Sequence, residues 1–290
     1  MSVAGIPAVR SEIATSMLAH MSMAAIGMTY TTLTLVLNYI LSNGSALLRR
    51  SCRHRRCSRP YRRCRSFRQA CRQLLVPNPS ALTNVKLSAP RTIKAGETFD
   101  GKNLRYGRGI KCNGAPDVGT PSPVFILEPG ATIANVVIGA DQQTGIRCLG
   151  PCTIRNVWFE EVCEEAIILR QTSGRTTITG GGAKSAPDVV VRHNGAGVVD
   201  IDSYCVQDFG RLYRSCGNCS TQVKREVTIS NVIARNGKLI AGVNSNYGDV
   251  ATIDTKTNAY TSVTSVCDTF RGTNNGNEPV RLTQNQSNAK

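Results

Sequence analysis

The chain has 290 residues, of which 41% are hydrophobic, so it can form a substantial core as one large domain or two small ones. Its formal net charge is +16 at pH 7, but aromatic residues make up only 5%, which argues against a surface that stacks on single-stranded nucleic acid. Eleven arginines and no acidic residue lie between Arg49 and Arg72, so this tract carries most of the charge and the remainder is only mildly basic.

The N-terminal part contains an apolar segment. No Lys, Arg, Asp or Glu occurs from Ile13 to Leu48, and residues 21–41 are long and apolar enough to enter a bilayer. We predict a targeting segment with two open interpretations. As a secretory signal, with small residues 42–46 as its exit, it places the protein outside the cell. As a membrane anchor it is the only membrane contact, and the arginines after it hold the next segment on the cytoplasmic side.

The arginine tract that follows has no helical or strand period and would repel itself, so we predict disorder unless it meets an anion. It could bind nucleic acid or acidic polysaccharide through counterion release. We favour a cleaved or flexible linker, or a segment absent from the mature protein, and expect no nucleic-acid partner. Residues 1–80 thus form a leader, and residues 81–290 form the folded part.

A repeated pattern fills the folded part. Residues 131–136, 152–157 and 227–232 share a Thr-Ile-x-Asn-Val sequence, and related segments at 176–180 and 198–202 occupy the gaps. A strand and turn every ~20 to 25 residues is typical of a stacked solenoid. The pattern predicts an all-β fold, a right-handed parallel β-helix that begins near Ala81. Asn135, Asn156 and Asn231 are then expected at one corner, as a structural ladder that tolerates left-handed backbone.

Eight cysteines lie in the folded part, in an even number that fits a secreted disulfide framework. They are Cys112, Cys148, Cys152, Cys163, Cys205, Cys216, Cys219 and Cys267. The short spacing of Cys216 and Cys219 leaves a zinc site as an alternative.

Four carboxylates surround the end of one repeat, beside the only tryptophan. They are Glu160, Glu161, Glu164 and Glu165. Such a cluster suits a hard cation such as Ca²⁺, and a solvated acidic turn is the alternative.

Several longer segments carry a family resemblance. They are residues 93–101, 139–142, 145–150, 156–166, 180–184, 193–195, 208–222 and 244–249. On these segments the chain resembles the secreted pectate lyases of polysaccharide lyase family 3, over roughly residues 90 to 255. The resemblance implies calcium-dependent β-elimination of polygalacturonate, which gives unsaturated oligogalacturonides, by a monomeric protein.

The resemblance also implies site residues. The family's calcium ligands correspond to Glu164 and Glu165, and its catalytic basic pair corresponds to Arg211 and Arg214. The chain departs from the family pattern at three further positions. Thr144 replaces a calcium-binding Asp, Arg147 replaces the neighbouring His, and Val189 replaces a catalytic Lys.

Lys184, Lys224 and Arg225 are candidates for binding a polyuronate, while His193 is expected to be a packed, hydrogen-bonded residue. The account requires Glu164 and Glu165 to face Arg214 across one open groove. Loss of a calcium ligand and of a catalytic cation leaves an alternative function, in which a catalytically impaired β-helix binds acidic polysaccharide.

Overall fold

Parallel strands, stacked rung upon rung, make up almost all of the regular secondary structure of the described chain. The structure is a computed structural model that describes residues 83–112 and 123–286. Predictions for the targeting segment and the arginine tract lie outside these residues. The described residues fall within one compact unit, and the predicted boundary at residue 80 is not among them.

The secondary structure of the described residues comprises sixteen strands and one short 3-10 turn, Ser245–Tyr247. The strands are β1 (Asn84–Lys86), β2 (Arg91–Ile93), β3 (Thr98–Gly107), β4 (Pro123–Leu127), β5 (Thr132–Ile138), β6 (Thr144–Cys148), β7 (Thr153–Phe159), β8 (Glu165–Leu169), β9 (Arg175–His193), β10 (Gly197–Asp202), β11 (Cys205–Ser215), β12 (Arg225–Ser230), β13 (Ile233–Asn244), β14 (Val250–Ile253), β15 (Ala259–Arg271) and β16 (Val280–Thr283). Within these residues no helix has the length and apolar character needed to cross a membrane.

The strands form a parallel β-solenoid of about seven turns, which confirms the predicted fold class. One path of pairing runs β1-β3-β5-β7-β9-β11-β13-β15, and only the last pair, β15 with β16, is antiparallel. β9 spans 19 residues and turns corners of the coil. Its first part lies between β7 and β10, and its last part pairs with β8.

The sequence repeats occupy successive rungs of one sheet. A ladder of buried side chains runs through it in register: Phe99, Ile133, Ile154, Ile178, Ile201 and Ile229. Each inward residue packs on the equivalent residue of the next rung, which buries a continuous apolar column.

The asparagine corner is present but interrupted. Asn135, Asn156 and Asn231 all adopt left-handed backbone, with φ of 55°, 51° and 53°. Asn156 Nδ2 donates to Asn135 Oδ1 at 2.9 Å. Gly180 and Ser203 occupy the two rungs between Asn156 and Asn231, since the register places them there. Of the three predicted asparagines, Asn135 and Asn156 therefore stack on each other, and Asn231 is separated from them by two rungs.

Three disulfides join cysteines that both lie among the described residues. They are Cys112–Cys163, Cys148–Cys152 and Cys216–Cys219. Cys205 is also disulfide-bonded. The predicted disulfide framework is confirmed, although Cys267 is a free thiol and the eight cysteines of the folded part therefore do not all pair with one another. The zinc alternative for Cys216 and Cys219 is wrong because their sulfurs are joined to each other.

Candidate active site

Two columns of residues on the outer side of one sheet hold most of the predicted site. The sheet consists of β6, β8 and the C-terminal parts of β9, β11, β13 and β15. Neighbouring strands lie about 4.8 Å apart, so residues in register form columns. The first column is Thr144, Glu165, Val189 and Arg211, and the second is Arg147, Ile168, Arg192 and Arg214. We call these eight residues the arginine face.

Ion pairs cover part of this face. Arg192 Nη1 donates to Glu165 Oε1 at 2.8 Å, and Arg211 pairs with Asp188. The side chains of Arg192 and Arg211 are 30% and 41% exposed, whereas that of Glu165 is only 12% exposed. Solvent thus reaches the face chiefly at two guanidinium groups.

Arg214 lies on the same face but is nearly buried, with 7% exposure. Its Nη1 donates to Asn244 Oδ1 at 3.1 Å, and its guanidinium carbon lies 3.9 Å from the centroid of the Phe270 ring. Its Nη2 is buried and has no hydrogen-bond partner among the described residues. Burial, reinforced by the positive charges of Arg211 and Arg192, lowers the pKa of Arg214 to about 10.

Asn244 and Phe270 are site residues that sequence reasoning did not assign. Asn244 Nδ2 donates to Cys216 O at 3.0 Å and to Asp249 Oδ2 at 3.2 Å, so the oxygen of the same amide is aimed at Arg214. A sequence signal existed, because residues 244–249 belong to the segments that carry the resemblance. Nothing in the sequence pointed to Phe270.

A cleft of about 570 Å³ opens beside Arg211. Its lining residues are Pro187, Asp188, Gly210, Arg211, Lys238, Leu239, Thr264, Ser265, Asp268, Phe270, Pro279, Arg281 and Gln284. Phe270 lines the cleft and also stacks on Arg214. The expected open groove is therefore only partly present: Arg211 lies in a cleft, but Arg214 is covered and Glu165 is largely buried.

The acidic cluster is divided between two surfaces. Glu160 pairs with Arg105 at 2.9 Å, at the end of β7 in a neighbouring sheet. Glu164 and Glu165 begin the next rung, where the Glu164 amide donates to Gln143 O at 3.1 Å. Glu164 and Glu165 are thus the carboxylates of the cluster that the strand order places at this end of the face.

These residues do not fit a resident calcium ion. Ca²⁺ takes six to eight oxygens, with several carboxylates in its tighter sites. Thr144, in register with Glu165, offers one neutral hydroxyl, whose buried oxygen has no hydrogen-bond partner within the described ranges. Glu165 is engaged by Arg192. Across the part of the chain that the structure describes, no three His, Cys, Asp or Glu side chains gather as a metal site.

The predicted polyuronate-binding residues lie elsewhere. Lys184 is beside Gln207 in a neighbouring sheet, and Lys224 pairs with Glu226 at 2.6 Å. Arg225 is fully buried, where it donates to Gln222 Oε1, to Val223 O and to Asn194 O. The interpretation of Arg225 as a polyuronate-binding residue is therefore wrong. Its guanidinium is hydrogen-bonded to neighbouring segments inside the protein and is not available to a polysaccharide.

His193 is a structural residue, as expected. It has no exposed surface, and its Nδ1 lies 2.9 Å from Tyr213 Oη while its Nε2 lies 3.2 Å from Ala196 O. Burial lowers the pKa of His193 to about 4, so the ring is neutral at pH 7.

Known proteins resemble the chain over most of the solenoid. The family model described as pectate lyase matches residues 75–277. The chain belongs to the pectate lyase family. Probable pectate lyase D of Neosartorya fischeri is one relative, and it is 47% identical over 213 residues. These residues cover 73% of this chain and 88% of that protein. Pectate lyase H of Emericella nidulans is 46% identical over 217 residues, which cover 74% and 83%.

Solved pectate lyases share the fold. The catalytic domain of pectate lyase PelI from Erwinia chrysanthemi aligns with a TM-score of 0.56 and 30% identity, over 71% of this chain and 94% of that one. A structure of PelI in complex with tetragalacturonic acid aligns with a TM-score of 0.52 and 31% identity, over 67% and 64%.

Proposed function

We propose that the protein cleaves polygalacturonate by β-elimination at the arginine face. Family membership and a relative that binds tetragalacturonic acid support this substrate class. The observation that carries the proposal is the position of Arg214, which lies beside Arg192 and Arg211 and has a pKa lowered to about 10.

The lowered pKa suits Arg214 to the role of general base. At pH 8 a group with a pKa of 10 is neutral in about 1% of molecules, roughly three hundred times the fraction for an arginine with the ordinary value of 12.5. A general base is most effective when its pKa approaches the working pH. The neighbouring guanidinium groups therefore do more than attract an anion: their charge also favours the neutral form of Arg214.

The elimination can be written with these side chains. Arg211 and Arg192 bind the uronate carboxylate, and their charge stabilises the negative charge that develops as the adjacent C5–H bond breaks. Neutral Arg214 accepts the C5 proton. The electron pair forms the C4=C5 double bond, the C4–O bond breaks, and the leaving oxygen takes a proton from water. Because Phe270 covers Arg214, its ring moves aside as the sugar enters.

No step of this elimination uses the calcium ion that the resemblance implies. The carboxylates of Glu164 and Glu165 were its expected ligands, and the surrounding residues do not fit a resident ion. We therefore assign charge neutralisation to arginines.

Binding without turnover is the second candidate function. The observation that favours it is Val189, which stands between Glu165 and Arg211 in the first column and is 1% exposed. An apolar side chain there neither accepts a proton nor pairs with a carboxylate. Under this alternative the cationic cleft holds the polyuronate and no bond breaks.

The disulfides support an extracellular location. Disulfides persist in oxidising surroundings, so three bridges in the described residues support a secreted, extracellular protein. We propose that this protein acts as a monomer on pectic polysaccharide.

One assay separates the two functions. The full chain is mixed with polygalacturonate, and the ultraviolet absorbance of unsaturated uronate ends is followed. We expect a steady rise that increases with enzyme concentration and is absent with a neutral galactan. Retention on immobilised polygalacturonate without any rise would establish the binding function instead, and neither signal would remove both candidates.

A further inference from the structure

The arginine face has the charge of an anion site at the place where the family resemblance implies a cation. Its four guanidinium groups are those of Arg147, Arg192, Arg211 and Arg214. The nearby carboxylates are those of Glu164, Glu165 and Asp188, together with Asp249, which acts on Arg214. Guanidinium groups and carboxylates are thus equal in number, but Glu165 and Asp249 are nearly buried, whereas Arg192 and Arg211 are the members of the face that solvent reaches. These exposed guanidinium groups attract a uronate carboxylate and disfavour a divalent cation beside them.

Arg192 is the group best placed to use this charge. It belongs to the second column, yet its Nη1 reaches back to Glu165 in the first column, at 2.8 Å. Glu165 is 12% exposed at its side chain, whereas Arg192 is 30% exposed. The carboxylate is thus the sheltered partner, and the guanidinium forms the surface that a ligand meets.

The ion pair also orients the guanidinium. Arginine has five N–H donors in a rigid fork, and one of the terminal nitrogens of Arg192 is engaged by Glu165. The fork as a whole can grip a second carboxylate through its other donors. A pre-oriented arginine loses less conformational entropy on binding than a free one.

We propose that Arg192, held by Glu165, is a substrate-binding residue that replaces a metal ion in this chain, so that oligogalacturonate binding does not require calcium. The inference adopts the substrate class of the proposed function and does not depend on turnover. Thr144 belongs to the same replacement of a metal ion by an arginine. Its neutral hydroxyl lies beside Glu165 where the resemblance implies an Asp, so no second protein carboxylate at this position competes with a uronate for the Arg192 guanidinium.

Calorimetric titration of the full chain with tetragalacturonate tests this inference. In the presence of EDTA we expect a Kd within about twofold of that measured with added Ca²⁺. The substitution Arg192→Gln removes the fork and is expected to weaken binding at least tenfold, which corresponds to about 1.4 kcal/mol. Arg192→Lys keeps the charge without the fork, so we expect an intermediate loss.

The control variant is Arg175→Gln. Arg175 also pairs with a carboxylate, that of Asp200, but on a different sheet of the coil, so the same change should leave the Kd unaltered. Far-ultraviolet circular dichroism of each variant verifies that the β-structure is retained.

A metal-binding measurement gives a second readout. Terbium luminescence or calcium calorimetry should show no tight site in the natural chain, while the double variant Thr144→Asp with Arg192→Gln should gain one. Tetragalacturonate binding that EDTA abolishes and Ca²⁺ restores would overturn the inference. So would an unchanged Kd in Arg192→Gln, or no binding by the natural chain. If binding behaves as expected but no unsaturated product forms, the inference stands and the lyase proposal fails.

Discussion

Replacement of Arg214 by glutamine is expected to lower kcat on polygalacturonate by at least about a hundredfold, with KM changed far less. A general base contributes about 10²- to 10⁴-fold to rate, and glutamine cannot accept the C5 proton. Arg214 is nearly buried and reaches the sugar only during the reaction, so its loss removes little ground-state binding. Steady-state kinetics from unsaturated product give both constants.

The pH profile distinguishes a base from a structural residue. Only neutral Arg214 accepts a proton, so kcat of the natural enzyme should rise about tenfold per pH unit and level off near pH 10, the folded pKa. Arg214→Lys retains a base whose ordinary pKa is lower than that of arginine, so the plateau should begin at lower pH. Arg175→Gln is the matched control and should keep both the rate and the profile.

If Arg214 had only a structural role, Arg214→Gln would change stability and leave the kcat of the folded protein unaltered. Its contacts with Asn244 and Phe270 stabilise the last rungs, so the free energy of unfolding of Arg214→Gln should be measured by urea denaturation. A folded variant that keeps natural kcat would exclude Arg214 as the base.

The second large effect concerns the aliphatic ladder. Replacing Ile178 by alanine is expected to lower the free energy of unfolding by about 3 kcal/mol, within the range of 2 to 5 kcal/mol for such truncations in a packed core. Ile178 has no exposed surface and lies in register between Ile154 and Ile201. In a solenoid each rung contacts only its neighbours, so the cavity is shared by two interfaces.

Thr179→Ala is the control for the ladder. Thr179 follows Ile178 on the same strand and is partly exposed, so its truncation should change stability by no more than about 0.5 kcal/mol. Denaturant midpoints at constant slope give both values. Equal losses for the two variants would contradict the ladder as the main source of stability.

The fold could be predicted because residues at equivalent positions of the sequence repeat pair with one another in neighbouring strands. Ile133, Ile154 and Ile229 occur at equivalent positions of a recurring sequence, and parallel pairing places them in one column. The asparagine corner follows from the same repeat. Its interruption at Gly180 and Ser203 was not predicted, because glycine and serine also fit a left-handed turn and leave no gap in the sequence pattern.

The positions of site residues could be predicted only where the residues occupy equivalent positions on successive strands. Glu165 and Arg211 belong to one column and Arg214 to the adjoining one, so their placement on a common face follows from the register. Local charge, in contrast, does not reveal burial. Lys224 and Arg225 are adjacent cations, but Lys224 precedes β12 and is exposed, whereas Arg225 begins the strand and is buried like Val227 and Ile229, the alternate residues after it.

Contacts between distant rungs could not be predicted from the sequence. Phe270 lies 56 residues after Arg214, and their stacking depends on side-chain rotamers that reach across the intervening strand β13. The pairing of Arg192 with Glu165 likewise depends on rotamers that reach from one column to the next. No periodicity in the sequence encodes either contact.

The central claim, that the arginine face holds the polyuronate, is tested most directly by a crystal structure of the Arg214→Gln variant with tetragalacturonate. We predict uronate carboxylates within hydrogen-bond distance of the guanidinium groups of Arg192 and Arg211, with the Phe270 ring displaced. A ligand bound on another sheet, beside Lys184 or Lys224 and away from both arginines, would contradict it.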